Sequence, residues 1–135
     1  MKFHRDPKLA EIRQLPLFAT CSEAEIQEIA AIADELSLPK GRELTREGAL
    51  GQEFVLIVSG SVEVYKGGQK VATLGPGDFL GEIALLTGRP RTATVVSTSS
   101  VLVLVIARHR FLALVDRLPG VRALLDDAIP LRQAS

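Results

Sequence analysis

The sequence predicts a mainly β fold with flanking helices, centred on an eight-stranded antiparallel β-barrel or jelly roll. Three observations carry this. Between residues 38 and 107, short apolar or alternating segments recur, and glycine-bearing turns close most of them. The count of about eight strands suits an antiparallel sheet that closes its own edges. On both sides of this region the apolar residues return to helical spacing.

Each element has its own signal. Residues 1–5 are charged and read as a frayed end, and residues 8–15 read as a short helix stopped by Pro16. Ser22-Glu23-Ala24-Glu25 fits a capping box, with Ser22 as N-cap and Glu25 at the third helical position. Ile26, Ile29, Ala33 and Leu36 follow at helical spacing, so an amphipathic helix is expected over residues 23–36, with Leu17 and Phe18 packed beneath it. Pro39-Lys40-Gly41 is a turn, and residues 42–47 form a short polar strand closed by Gly48. Residues 54–58 are continuously apolar, the pattern of a strand buried on both faces or in a tightly curved sheet. Ser59-Gly60 reads as a two-residue hairpin turn into the alternating Val62-Glu63-Val64-Tyr65. Lys66-Gly67-Gly68-Gln69 makes a second hairpin into residues 71–74, and residues 92–97 and 101–106 supply the last strands. Helical spacing resumes over residues 108–117 through Phe111, Leu114, Val115 and Leu118. Pro119-Gly120 interrupts it, and Val121, Leu124, Leu125 and Ile129 suggest one further short helix before Pro130.

The 135 residues suit a single domain over 1–135, with its core at about 15–125 and flanking segments at 1–14 and 126–135. Sixteen basic and sixteen acidic side chains cancel, and no basic stripe marks a nucleic-acid partner. The single cysteine, Cys21, excludes an internal disulfide and fits a reducing compartment. The longest apolar run, residues 101–107, is too short to span a bilayer, so the expected location is cytoplasmic. Enzymatic chemistry finds little support. His4 and His109 stand alone, Cys21 has no evident base, and Asp126-Asp127 are neighbours that point apart on a helix. Gly75-Pro76-Gly77 is a turn, with no dinucleotide fingerprint and no triphosphate-loop lysine. No metal or cofactor is expected.

The chemistry concentrates in residues 75–95, GPGDFLGEIALLTGRPRTATV. Gly75-Pro76-Gly77-Asp78 suits a sharp reversal after a strand. Gly81 and Glu82 then precede Ile83-Ala84-Leu85-Leu86, which reads as a short helix stopped by Gly88 and Pro90. A helix start attracts an anion, and Gly81 has no Cβ to keep that anion away. Arg91 adds a guanidinium, which completes a phosphate site. Beside a phosphate, the Glu82 carboxylate must accept hydrogen bonds from a neutral donor such as a sugar hydroxyl. Phosphate and ribose together point to a nucleotide. A surface ion pair between Glu82 and Arg91 around an ordinary turn is the plainer alternative.

The pattern G-E-I-A-L-L-x-x-x-P-R-T-A, from Gly81 to Ala93, resembles the phosphate-binding cassette of the cyclic-nucleotide-binding domain family, the module of bacterial catabolite activators, cyclic-nucleotide-dependent kinases and gated channels. The resemblance extends over about residues 15–125. It implies that Glu82 holds the ribose 2′-OH, while Arg91 and the N–H groups after Gly81, at Ile83 and Ala84, hold the cyclic phosphate. It places Thr92 and Ala93 near phosphate and base. The function implied is non-enzymatic sensing of a cyclic mononucleotide, cyclic AMP favoured over cyclic GMP, by a regulatory module whose C-terminal helices respond to ligand. Members usually carry an effector, yet only 17 residues follow Leu118, so the expectation is either a separate effector protein as partner or a chain cut from a larger one. A homodimer is left open. The alternative function is a protein-interaction module of the same fold that no longer binds nucleotide.

Overall fold

The computed structural model describes residues 4–5, 9–81 and 88–134, with side chains over 9–81 and 88–127. Strand β1 (His4–Arg5), helix α1 (Leu9–Arg13), a 3-10 turn (Pro16–Phe18) and α2 (Glu23–Ile32) open the chain. The strands that follow are β2 (Ala33–Leu38), β3 (Glu43–Thr45), β4 (Glu53–Ser59), β5 (Val62–Lys66), β6 (Gln69–Leu74), β7 (Phe79–Leu80), β8 (Thr94–Ser97) and β9 (Val101–Ala107). Helices α3 (Arg108–Arg117) and α4 (Pro119–Ala134) end it.

The strands form two antiparallel sheets, ordered β1-β2-β9-β4-β7 and β3-β8-β5-β6. Among the described residues no strand pair joins the two, so the fold is an open pair of sheets and the expected closed barrel is corrected on that point. The crossing from β4 to β5 shows why. Ser59-Gly60 does not close a hairpin, because β4 pairs with β7 and β9 while β5 pairs with β6 and β8. Gly60, at φ 89°, turns the corner between sheets against the Ser100 carbonyl. A Cβ there would lie 2.9 Å from Val101 Cα, so the corner has room only for glycine.

The continuous apolar run is explained by layering. In β4, Phe54 and Leu56 face a core shared with the helices, while Val55 and Ile57 face a second core between the sheets. β9 divides the same way, with Leu104 and Ile106 on the helical side and Val101 and Val103 between the sheets. A strand covered on both faces has no polar face to alternate.

The helical side holds one agreement and two corrections. The capping box forms as expected: Ser22 N–H donates to Glu25 Oε1 at 2.7 Å, and Glu25 N–H donates to Ser22 Oγ at 3.2 Å. Yet α2 stops at Ile32, and Ala33 and Leu36 belong to a strand. Six consecutive registered pairs with β9 draw residues 33–38 into the sheet, and this tertiary pairing overrides their helical spacing. In α4, Pro119 is the first residue, where a missing N–H costs nothing, and Gly120 packs on the Thr20 side chain. The helix continues through Pro130 for 16 residues, longer than the short helix expected.

Candidate functional site

The turn at Gly75 to Asp78 is doubly closed. Asp78 N–H donates to Gly75 O at 3.0 Å, and Gly75 N–H donates to the Asp78 carboxylate at 2.8 Å. Gly77, at φ 91°, supplies the positive dihedral that this Pro-Gly turn requires. Its N–H donates to Ile57 O at 2.8 Å, and Ile57 N–H donates to Asp78 O at 2.9 Å. β7 then pairs Phe79 with Leu56 and Leu80 with Val55. The hydrophobic pairing therefore delivers Gly81 to the start of β4, beside Glu53.

Arg91 meets Gly81 there. Its Nη2 donates to Glu53 O at 2.7 Å, and its guanidinium lies over the glycine. A Cβ on Gly81 would run into Arg91 Nη1 and stand 2.8 Å from Glu53 O, and φ at Gly81 is 95°. Two constraints therefore select glycine here: its dihedral and the side chain above it. The Arg91 backbone is anchored on the opposite side, its N–H donating to Ala49 O at 2.7 Å and its carbonyl accepting from Gly48 N–H at 2.9 Å. Of the following residues, Thr92 is exposed and Ala93 is buried. The Ala93 carbonyl accepts from the buried Thr45 hydroxyl at 3.0 Å.

The structure thus brings Gly81 and Arg91 into contact and sets Thr92 and Ala93 next to them in the chain. Glu82, Ile83 and Ala84, with the expected cassette helix, lie outside the described residues. Sequence reasoning missed Glu53, which contributes a backbone carbonyl and so leaves no side-chain signal. It also missed the loop over residues 46–50, whose glycine and alanine offer only main-chain groups.

Other candidates stay apart. His109 is exposed at the start of α3, and Asp126 pairs with Arg122 at 3.0 Å on an exposed helix face. Burial, with a further contribution from the Glu25 carboxylate, pushes the Cys21 thiol up from its ordinary value, which disfavours the nucleophilic thiolate. Among the described residues no three His, Cys, Asp or Glu side chains gather as a metal site, and no helix is long and apolar enough to cross a membrane.

Fold and site together define a helix-backed, double-sheet domain with an arginine guanidinium seated over the glycine that follows β7. The sequence profile described as cyclic nucleotide-binding domain matches residues 35–118, and the chain belongs to that family. It is 34% identical over 121 residues to a cAMP-dependent protein kinase regulatory subunit of Pyricularia oryzae, covering 87% of this chain and 31% of that one. The Thermus thermophilus catabolite activator protein superposes with a TM-score of 0.74 at 33% identity, covering 88% of this chain and 58% of its own. The regulatory domain of Toxoplasma gondii PKA, crystallised with cAMP, superposes with a TM-score of 0.70 at 32% identity, covering 78% and 42%. The chain spans less than two thirds of each of these relatives.

Proposed function

We propose that this chain is a non-enzymatic sensor domain that binds a cyclic mononucleotide, cyclic AMP ahead of cyclic GMP, and passes the binding event to an effector. The observation that carries the proposal is the Arg91 guanidinium held directly over Gly81, a cation packed against the backbone where the cassette begins. A cyclic phosphodiester is a small monoanion of suitable charge. The preference for cyclic AMP is supported by the relatives named for it. In this reading the N–H groups at Ile83 and Ala84 share the phosphate, Glu82 takes the ribose hydroxyl, and Thr92 and Ala93 border phosphate and base. Titration calorimetry of the purified protein with both nucleotides tests the reading, and no heat and no shift in melting temperature with either would leave an interaction module of the same fold.

The sugar gives a finer test. The 2′-deoxy analogue is expected to bind about tenfold or more weakly, because the Glu82 acceptor loses its donor. Glu82→Gln should narrow that difference while the fold stays intact. Equal affinity for both sugars would assign Glu82 to a structural ion pair instead.

The response to ligand is expected in the C-terminal helices. Phe79, two residues before Gly81, contacts Phe54 with ring centroids 5.8 Å apart, and Phe54 stacks on Phe111 of α3 at 4.3 Å. A groove of about 320 Å³ separates the cassette's opening turn, at Pro76 and Phe79, from Leu124 of α4. A shift at the cassette therefore has a packed route to α3 and open space beside α4. Hydrogen exchange should change over residues 108–125 on adding nucleotide, with residues 54–64 nearly unaffected. Changes confined to residues 81–93 would mean binding without this switch.

A further inference from the structure

Side chains extend the β3–β8 strand pair toward Arg91, which precedes β8 by three residues. The β3–β8 register shifts between Glu43 and Thr45, and its last pair, Thr45 with Val95, lies just short of where the chain returns toward Arg91. Two threonine side chains continue the pairing past that point. Thr45 Oγ1 donates to Ala93 O at 3.0 Å, and Thr94 Oγ1 accepts from Glu47 N–H at 3.0 Å. Beyond them, the two main-chain bonds between Arg91 and the Gly48-Ala49 pair complete the attachment. Glu47 also fixes the loop from outside, its carboxylate accepting from Gly67 N–H at 3.0 Å in the β5–β6 hairpin.

We infer that Thr45 is a positioning residue for the anion site: its hydroxyl, through the Ala93 carbonyl, holds residues 91–94 in the path that puts the Arg91 guanidinium over Gly81. The inference rests on the proposed cyclic-nucleotide reading for its effect on affinity. Its effect on the chain does not depend on that reading. Thr45 is 8% exposed and Ala93 9% exposed, so water does not readily replace the bond. A lost donor at this place leaves a buried carbonyl unpaired, and the chain relieves that by moving. The carbonyl that moves is two residues from Arg91. The arginine must still reach Glu53 O, a contact made at 2.7 Å, so a small displacement at Ala93 alters where the cation sits.

The test compares Thr45→Val, which keeps the volume and removes the hydroxyl, with Thr45→Ser, which keeps the hydroxyl. In the ligand-free protein, exchange of the Arg91 amide should rise about tenfold in Thr45→Val and return near the parent value in Thr45→Ser. Amides of Ile57 and Val103 should stay unchanged. Calorimetry should show cyclic AMP bound about 3- to 10-fold more weakly by Thr45→Val, again restored by serine. Thr94→Val, which removes the acceptor for Glu47, should act in the same direction and serves if Thr45→Val does not fold. Unchanged Arg91 exchange in the valine variant, or faster exchange spread equally through all strands, would overturn the inference. If the parent protein binds neither cyclic nucleotide, the cyclic-nucleotide reading fails, and the exchange comparison still decides the role of Thr45.

Discussion

Arg91→Ala is expected to weaken cyclic-nucleotide binding by about 2–4 kcal/mol, roughly 30- to 1000-fold, as measured by calorimetry at fixed salt. The magnitude follows from the setting. Arg91 is partly buried, its backbone N–H and carbonyl are both bonded to the Gly48-Ala49 pair, and one guanidinium nitrogen is already engaged with Glu53 O. A side chain held in this way loses little further freedom when an anion arrives, so most of the charge-assisted bond appears as affinity. Arg91→Lys should recover only part, because an ammonium cannot reach the Glu53 carbonyl and a phosphate with the same fork. Gly81→Ala should reproduce part of the loss from the other side, since its methyl group collides with the guanidinium and with Glu53 O. Affinity unchanged in Arg91→Ala would remove Arg91 from the site.

What the sequence made legible follows from local chemistry. The capping box at Ser22 and Glu25 and the Gly-Pro-Gly-Asp turn each satisfy their own hydrogen bonds within four residues, so their residue types suffice to read them. The run at Phe54 to Val58 was legible for a different reason, because covering a strand on both faces removes every polar position. Residues 33–38 were not legible. Ala-Asp-Glu-Leu suits a helix locally, and what makes it a strand is β9, 63 to 73 residues away (Leu38 pairs with Val101 and Ala33 with Ile106). The corner at Gly60 misled for a related reason: a glycine after a strand signals a reversal, but not whether the next strand returns to the same sheet. At the site, Gly81 and Arg91 were readable as residue types with known preferences. The carbonyl of Glu53 and the clasp through Thr45 depend on which backbone groups the folded sheets bring together, and no spacing rule within one segment records that.

The largest expected effect on stability is at Phe111, the residue through which α3 grips the sheet. Phe111 is 1% exposed and stacks on Phe54, with ring planes 24° apart and centroids at 4.3 Å. Around the pair lie Leu114 and Val115 of the same helix and Leu56 and Ile106 of the sheet, all buried. Truncation to alanine removes an aromatic ring from a packed layer that cannot collapse easily, because rigid strands form its floor. Phe111→Ala should therefore cost about 3–5 kcal/mol, a large share of the roughly 5–15 kcal/mol that stabilises a typical domain. The midpoint of denaturant unfolding should fall accordingly with little change in slope. Phe111→Leu keeps much of the volume and should cost well under half as much, whereas Leu124→Ala, at a position 42% exposed, should stay within about 0.5 kcal/mol. The contrast separates this account from a general sensitivity of the C-terminal helices. Equal losses at Phe111 and Leu124, or a loss below about 1 kcal/mol at Phe111, would mean that α3 is not held to β4 by this ring.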